Sequence, residues 1–84
     1  MTEGPFRYRA DVLNELWRHG LQPTSHTSPE LVRNCVRDLY KYEIRALRDR
    51  YLRQEFPKTE YWTRVDNLRR RYPVLALLPR QMIE

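Results

Sequence analysis

The stretch from Pro29 to Glu55 constrains the fold more than any other part of the chain. It contains no glycine, and its one proline stands at the first position, where a helix tolerates it. Its apolar and aromatic residues recur every three or four positions and therefore share one helical face. They are Val32, Val36, Leu39, Tyr40, Ile44, Leu47 and Tyr51. The pattern predicts a helix over residues 29–55, about 40 Å long.

Local signals mark both ends of this helix. Thr27 and Glu30 match a capping box, and Ser28 followed by Pro29 matches an N-cap with proline in the first turn. Either start is compatible with the pattern. At the other end, Pro57 disfavours a helical conformation for the residue before it, so we expect the helix to stop there.

A short helix is predicted before the long one, over residues 9–19. Gly20 follows it at once and is expected to form its C-cap. A helix this short is unstable alone. We therefore expect its Leu16 and Trp17 face to pack on the first half of the long helix.

A third helix is predicted over residues 59–72, and Pro73 ends it. The link from the long helix is only a few residues, which favours an antiparallel hairpin. The expected fold is a single all-α domain over residues 1–84, with three helices and an apolar C-terminal tail.

The 84 residues suffice for one small domain with a thin core. No apolar run approaches the ~18 residues of a membrane span, and the N-terminus lacks the apolar core of a signal peptide. A cytoplasmic protein is expected. The oligomeric state stays open.

The net charge of +5 is concentrated in one half of the chain. Residues 41–73 contain ten Lys and Arg against five Asp and Glu, whereas the rest of the chain carries six of each. We therefore expect any acidic partner to contact the second half of the long helix and the third helix.

The candidate binding residues of this half combine cations with an aromatic side chain. They are Lys41, Arg45, Arg48, Arg64, Arg69, Arg70, Arg71 and Trp62. Three interpretations are open: an acidic protein partner, RNA or DNA that uses both charge and stacking, or an ordinary solvated surface. The last interpretation predicts ion pairs four residues apart. The pairs are Arg45 with Asp49, Asp49 with Arg53, Glu60 with Arg64, and Asp66 with Arg70.

The C-terminal tail is the most apolar segment, and two roles are open for it. It either packs on the helices and completes the core, or forms an exposed docking strip for a partner. The residues of the candidate docking tail are Leu75, Leu77, Leu78, Met82 and Ile83.

No cofactor or metal site is expected. His19, His26 and Cys35 are too few and too widely spaced for a structural zinc site, and Cys35 is expected to be buried among apolar residues. Glu43 lies among apolar positions of the long helix, and we expect it to pair with an arginine. Because no nucleophile or phosphate-loop motif accompanies it, we do not expect an enzyme.

The segment Leu39-Tyr40-Lys41, followed by Arg45 and Arg48, resembles the Leu-Tyr-Arg signature of the mitochondrial LYR proteins. The resemblance covers about ten residues, and Lys41 stands where that family has arginine. That motif lies near the start of the family's first helix, whereas here it lies within the second. LYR proteins are small basic three-helix assembly factors or accessory subunits that bind acyl carrier protein, so the resemblance implies a role on a larger complex.

These observations together predict a non-catalytic interaction or accessory protein. Its basic half and its apolar tail would dock on a larger, acidic protein or complex, and the alternative is an RNA- or DNA-binding module.

Overall fold

The computed structural model describes residues 4–84. Three α-helices form in this range: α1 (Ala10–Arg18), α2 (Pro29–Leu52) and α3 (Lys58–Arg70). Two short 3-10 turns follow, Pro73–Ala76 and Pro79–Gln81. The predicted all-α fold with a long central helix is confirmed. Helix α2 starts at the predicted Pro29, and the other helix ends differ from the predicted ones by one to three residues.

The long helix α2 starts at the Ser28 signal. The Ser28 side chain accepts a hydrogen bond from the backbone N–H of Leu31 at 3.2 Å, and Pro29 occupies the first helical position. The Thr27 hydroxyl instead accepts from the N–H of Thr24 within the preceding loop. Of the two predicted starts, the N-cap at Ser28 is therefore the correct one.

The second half of α2 and α3 form the predicted antiparallel hairpin. Tyr51 stacks on Tyr61 near the loop, with ring centroids 4.6 Å apart. At the open end, the Tyr72 hydroxyl donates a hydrogen bond to the Glu43 carboxylate. Few side chains are buried between these two points: Leu47 of α2 and Leu68 of α3, each less than one-tenth exposed.

The first half of α2 is covered by α1 and by the tail. Val12 and Leu16 of α1 are buried in one core with Val32 and Val36 of α2. Backbone bonds join the start of the described chain to its end. The N–H of Arg9 donates to the carbonyl of Met82, the N–H of Glu84 donates to the carbonyl of Arg7, and Tyr8 and Ile83 form an antiparallel bridge.

Three predicted core positions of this half are wrong. Trp17 is 69% exposed, Leu39 is partly exposed and Cys35 is exposed. The core lies on the side of α2 that carries Val32 and Val36, and α1 turns Val12 and Leu16 toward it. Since successive residues are about 100° apart on a helix, the neighbouring stripe with Cys35 is left on the surface.

Candidate docking face

The tail packs mainly on the core. Met82 is completely buried, and Leu75, Leu77 and Ile83 are partly buried against the core, whereas Leu78 is 49% exposed. The burial favours the core role, and Met82 is therefore not available as a docking residue in this structure. Of the five tail residues, Leu78 has the most exposed side chain.

An arginine that the sequence analysis did not single out fastens the tail to α2. The Arg33 guanidinium donates from Nε to the carbonyl of Leu77 and from Nη2 to the carbonyl of Leu75, both at 3.1 Å. Arg33 lies one residue after Val32 and seven before Tyr40, close to the apolar face. The signal in the sequence was a long cationic side chain at the edge of the apolar face of α2. Its guanidinium has five N–H donors and can bond backbone carbonyls of the tail, which lie outside the α-helices.

The basic residues of the hairpin divide into two groups, and the first group is paired internally. Arg64 binds Glu60 with Nη2 and Oε1 2.6 Å apart, and Arg70 binds Asp66 at 2.9 Å. The Arg64 guanidinium also lies over the Phe56 ring, 4.4 Å from its centroid. Both predicted pairs on α3 are confirmed, so these two arginines act within the fold.

The two pairs predicted on α2 do not form. Arg45 makes no ion pair with Asp49, and Arg53 bonds Glu55 instead, at 3.2 Å. Glu55 also accepts from Arg50 at 3.1 Å, and these hydrogen bonds lower its carboxyl pKa. The turn after α2 brings Glu55 back over the last residues of that helix, so Arg53 pairs with Glu55 and not with Asp49. An exposed ion pair four residues apart is too weak to prevent this change of partner.

The second group consists of exposed cations that form no ion pair with the Asp and Glu residues of 4–84. We call four of them the basic face: Lys41, Arg45, Arg48 and Arg69. The three on α2 are spaced by four and three residues, so they form one stripe about 10 Å long. Arg69 precedes Tyr72 by three residues and lies opposite the middle of this stripe.

Helical phase places the basic face on one side of the hairpin. An open groove on the other side is lined by Tyr42 and Ala46 of α2 and by Thr63 and Asn67 of α3, among others. Arg69 is about 120° or more around α3 from these groove residues. On α2, Lys41 and Arg48 are turned to the same side as Arg69. Arg45 is about 160° from the buried Leu47 and lies on the outer side of α2 next to them. The basic face therefore runs from Arg69 around the outer side of α2, away from the opening of the groove.

Two large apolar side chains lie at the loop end of this side. Leu52 is 63% exposed and continues the α2 stripe four residues after Arg48. Trp62 is 60% exposed and lies seven residues before Arg69 on α3, so it shares the stripe of that cation. We call Leu52 and Trp62 the apolar end of the basic face.

Arg71 does not belong to the basic face, although it adjoins Arg69 in sequence. It is the C-cap residue of α3, and its carbonyl lies 2.8 Å from Nε2 of His19. Its side chain lines the groove of the other side with Glu43. The run 69–71 is therefore divided among three directions by the helix, since each residue is turned about 100° from the last.

Glu43 accepts its hydrogen bond from a tyrosine, so the expected arginine partner is wrong. Burial first, and then the hydrogen bond from its hydroxyl to Glu43, raises the pKa of Tyr72. His19 stacks on the Tyr72 ring with centroids 4.3 Å apart, and its Nε2–H donates to the Arg71 carbonyl. The cluster joins the end of α1 to the hairpin beside an open cleft of about 840 Å³.

Within residues 4–84, no three His, Cys, Asp or Glu side chains lie close enough together to hold a metal ion. No helix of this range is both long and apolar enough to cross a membrane. Comparisons of the chain with protein-family models, with curated proteins and with solved structures found no match.

Proposed function

We propose that the protein is a non-catalytic interaction module whose basic face docks on an acidic surface of a larger protein or complex. The observation that carries the proposal is the contrast between the two groups of cations. Arg64 and Arg70 are neutralised by neighbours on α3, whereas the stripe from Lys41 to Arg48 is not, although Asp49 lies within one turn of Arg45. Four cations on one side attract acidic surfaces and speed association.

The thin core of the hairpin supports the same proposal. Leu47 and Leu68 are the buried side chains of α2 and α3 within the hairpin, and one side of the hairpin is an open groove. A two-helix layer buries little apolar surface unless a further element covers it. A partner that binds only the folded hairpin would stabilise it by mass action.

A nucleic acid is the second candidate, and the observation that favours it is Trp62. The exposed indole shares a stripe with Arg69, so one side of α3 offers a stacking surface beside a phosphate-binding cation. Such binding would weaken steeply with salt, because each neutralised phosphate releases counterions.

The test compares a variant of the basic face with a charge-matched control. The face variant is Lys41→Gln/Arg45→Gln/Arg48→Gln, and the control is Arg7→Gln/Arg18→Gln/Arg80→Gln, which removes three exposed cations elsewhere. Each tagged chain is used to capture partners from nuclease-treated extract of its native cells. We expect the wild type and the control to retain one stoichiometric acidic protein and the face variant to lose it.

Two results would count against this function. Equal recovery by all three chains would show that the basic face does not bind the captured protein. Capture of material only from extract that has not been treated with nuclease, together with a steep salt dependence for synthetic RNA or DNA, would favour the second candidate.

A further inference from the structure

We infer that the partner's docking element is an amphipathic helix whose contact stripe is acidic over two turns and apolar over the next. This inference rests on the proposed function and names the part of the partner that the basic face receives. It uses the order of charged and apolar residues along the face, which a general attraction to acidic surfaces does not require.

The α2 side of the face is a single stripe of four residues. Lys41, Arg45, Arg48 and Leu52 are spaced by four, three and four residues, so their Cα atoms follow one line about 16 Å long. All four side chains are exposed. The stripe therefore changes from cationic to apolar at its loop end.

The α3 side has the same order. Tyr61 stacks on Tyr51, so Trp62, the next residue of α3, lies at the same level along the hairpin as Leu52 of α2. Arg69 lies two turns farther along α3, toward the open end of the hairpin. Both helices thus present apolar side chains near the loop and cations away from it. Lys58, one turn before Trp62, borders the apolar end and limits it to about one turn.

Charge complementarity decides the chemistry of the occupant. The cations lack carboxylate partners among the described residues, and carboxylates of a partner would supply them. Exposed ion pairs alone contribute little. An apolar side chain of the partner seated against Trp62 and Leu52 would remove apolar surface from water and add the larger share of the affinity.

The spacing favours a helix over an extended segment. A helix that packs along α2 at a shallow angle presents a contact residue every three or four positions. This spacing matches that of the α2 stripe over its length of about 16 Å. An extended chain turns alternate side chains away and advances about 3.3 Å per residue, so its spacing does not match the stripe. Acidic residues at i, i+4 and i+7 with leucine at i+11 meet all four positions.

The experiment uses two synthetic peptides of identical composition in an alanine-rich helical background. The stripe peptide carries Glu at i, i+4 and i+7 and Leu at i+11, whereas the phase peptide places the leucine on the opposite face. Binding to the full chain is followed by Trp62 fluorescence in a Trp17→Phe background, which removes the other exposed tryptophan. We expect the stripe peptide to bind at least about tenfold more tightly than the phase peptide.

Two variants locate the contact. Leu52→Asp is expected to reduce stripe-peptide affinity by about tenfold or more, whereas Leu78→Asp, at an exposed leucine of the tail, is expected to leave it unchanged. Circular dichroism melting of both variants checks that each is folded.

The outcomes separate this inference from the proposed function. Equal binding of the two peptides, or no effect of Leu52→Asp, overturns the ordered helix site while a basic face for acidic proteins still stands. If the basic-face variant captures the same acidic protein as the wild type, the proposed function fails and the inference fails with it. Tight, order-dependent binding that Leu52→Asp abolishes supports both.

Discussion

At the scale of single residues, the C-terminal ends of α1 and α2 form the same turn with different amino acids. After α1, the N–H of Leu21 donates to the carbonyl of Leu16 and the N–H of Gly20 to that of Trp17, both at 2.9 Å. Gly20 has φ 77°, and a Cβ there would meet open space. This bond pattern is a Schellman motif, and glycine is its usual left-handed residue.

After α2, the same motif contains glutamine. The N–H of Glu55 donates to the carbonyl of Arg50, and the N–H of Gln54 donates to that of Tyr51. Gln54 has φ 60°, a left-handed conformation that disfavours residues with a Cβ. The turn is therefore strained at one residue, although it places Phe56 in the core.

Replacing Gln54 with glycine is expected to stabilise the protein by about 0.5–1 kcal/mol. The left-handed conformation costs a non-glycine residue roughly 1–2 kcal/mol, and the greater freedom of glycine in the unfolded chain offsets part of the gain. Thermal melting should rise by a few degrees. Gln54→Ala keeps a Cβ and should bring no comparable gain, and a lower melting temperature for Gln54→Gly would contradict the explanation.

Tyr72 predicts a loss of stability in alkali. Its raised pKa means that the folded protein holds the phenol proton more tightly than the unfolded chain, whose tyrosines titrate near pH ~10. Above that pH the unfolded state loses the proton first, so the free energy of unfolding falls as the pH rises. Urea unfolding at several pH values between about 8 and 11, the range in which tyrosine titrates, measures how the free energy of unfolding changes with pH.

Tyr72→Phe should make this alkaline decline shallower. A smaller decline should remain, because burial also raises the pKa of Tyr8. Tyr42→Phe, at an exposed tyrosine, is the matched control and should follow the wild type. Parallel curves for Tyr72→Phe and the wild type would contradict the role of the Tyr72 hydroxyl.

At the scale of elements, the tail acts as a fourth packing element beside the three helices. The 3-10 turns pack on α2, the Arg33 guanidinium holds two of the tail's carbonyls, and Glu15 of α1 accepts from the N–H of Val74 at 2.9 Å. The tail is thus bonded to both helices that it contacts. Its apolar composition serves the core at Val74 and Met82, which are buried.

Two single substitutions within the tail should differ widely in their effect. Met82→Ala should lower the free energy of unfolding by about 2–5 kcal/mol, because it leaves a cavity at a fully buried side chain. Leu78→Ala, at a half-exposed side chain, should cost much less. Chemical denaturation of both proteins gives the comparison, and equal losses would mean that the tail does not belong to the core.

At the scale of the whole molecule, the described chain is a rod of 54 × 18 × 16 Å with unequal halves. Around the first half of α2, the core is enclosed by α1 and the tail. The second half is a bare hairpin that carries most of the net positive charge. The core is therefore thicker at one end of the rod than at the other, although Leu47, Phe56 and Leu68 continue it into the hairpin.

This division predicts that the basic face is dispensable for folding. The variant Lys41→Gln/Arg45→Gln/Arg48→Gln lowers the net charge from +5 to +2 (5 − 3 = 2), and since no described carboxylate pairs with these residues, stability should change by less than about 0.5 kcal/mol. Arg33→Gln, a single change, should cost about 1–3 kcal/mol because two partly buried carbonyls lose their charged donor. Thermal denaturation compares the two, and a larger loss in the triple variant would contradict the division.

The sequence by itself determined the helices and most of their limits, because these depend on local chemistry. Ser28 and Pro29 start α2, Gly20 closes α1, and Pro73 follows the end of α3, each through backbone constraints that act within a few residues. The end of α2 is the exception: the helix closes at the left-handed Gln54, before Pro57, which is the N-cap of α3. The short link then made the hairpin the expected arrangement. The concentration of positive charge was likewise visible in the chain.

Only the tertiary structure decided which of the neighbouring stripes on α2 became core. Periodicity shows that residues share a face, but the apolar arc of α2 is wider than its covering elements, and the path of α1 and the tail left Cys35 and Leu39 outside. The same long-range packing put Arg33 on the tail carbonyls and Tyr72 on Glu43. Such contacts join residues far apart in the chain, so no local pattern specifies them.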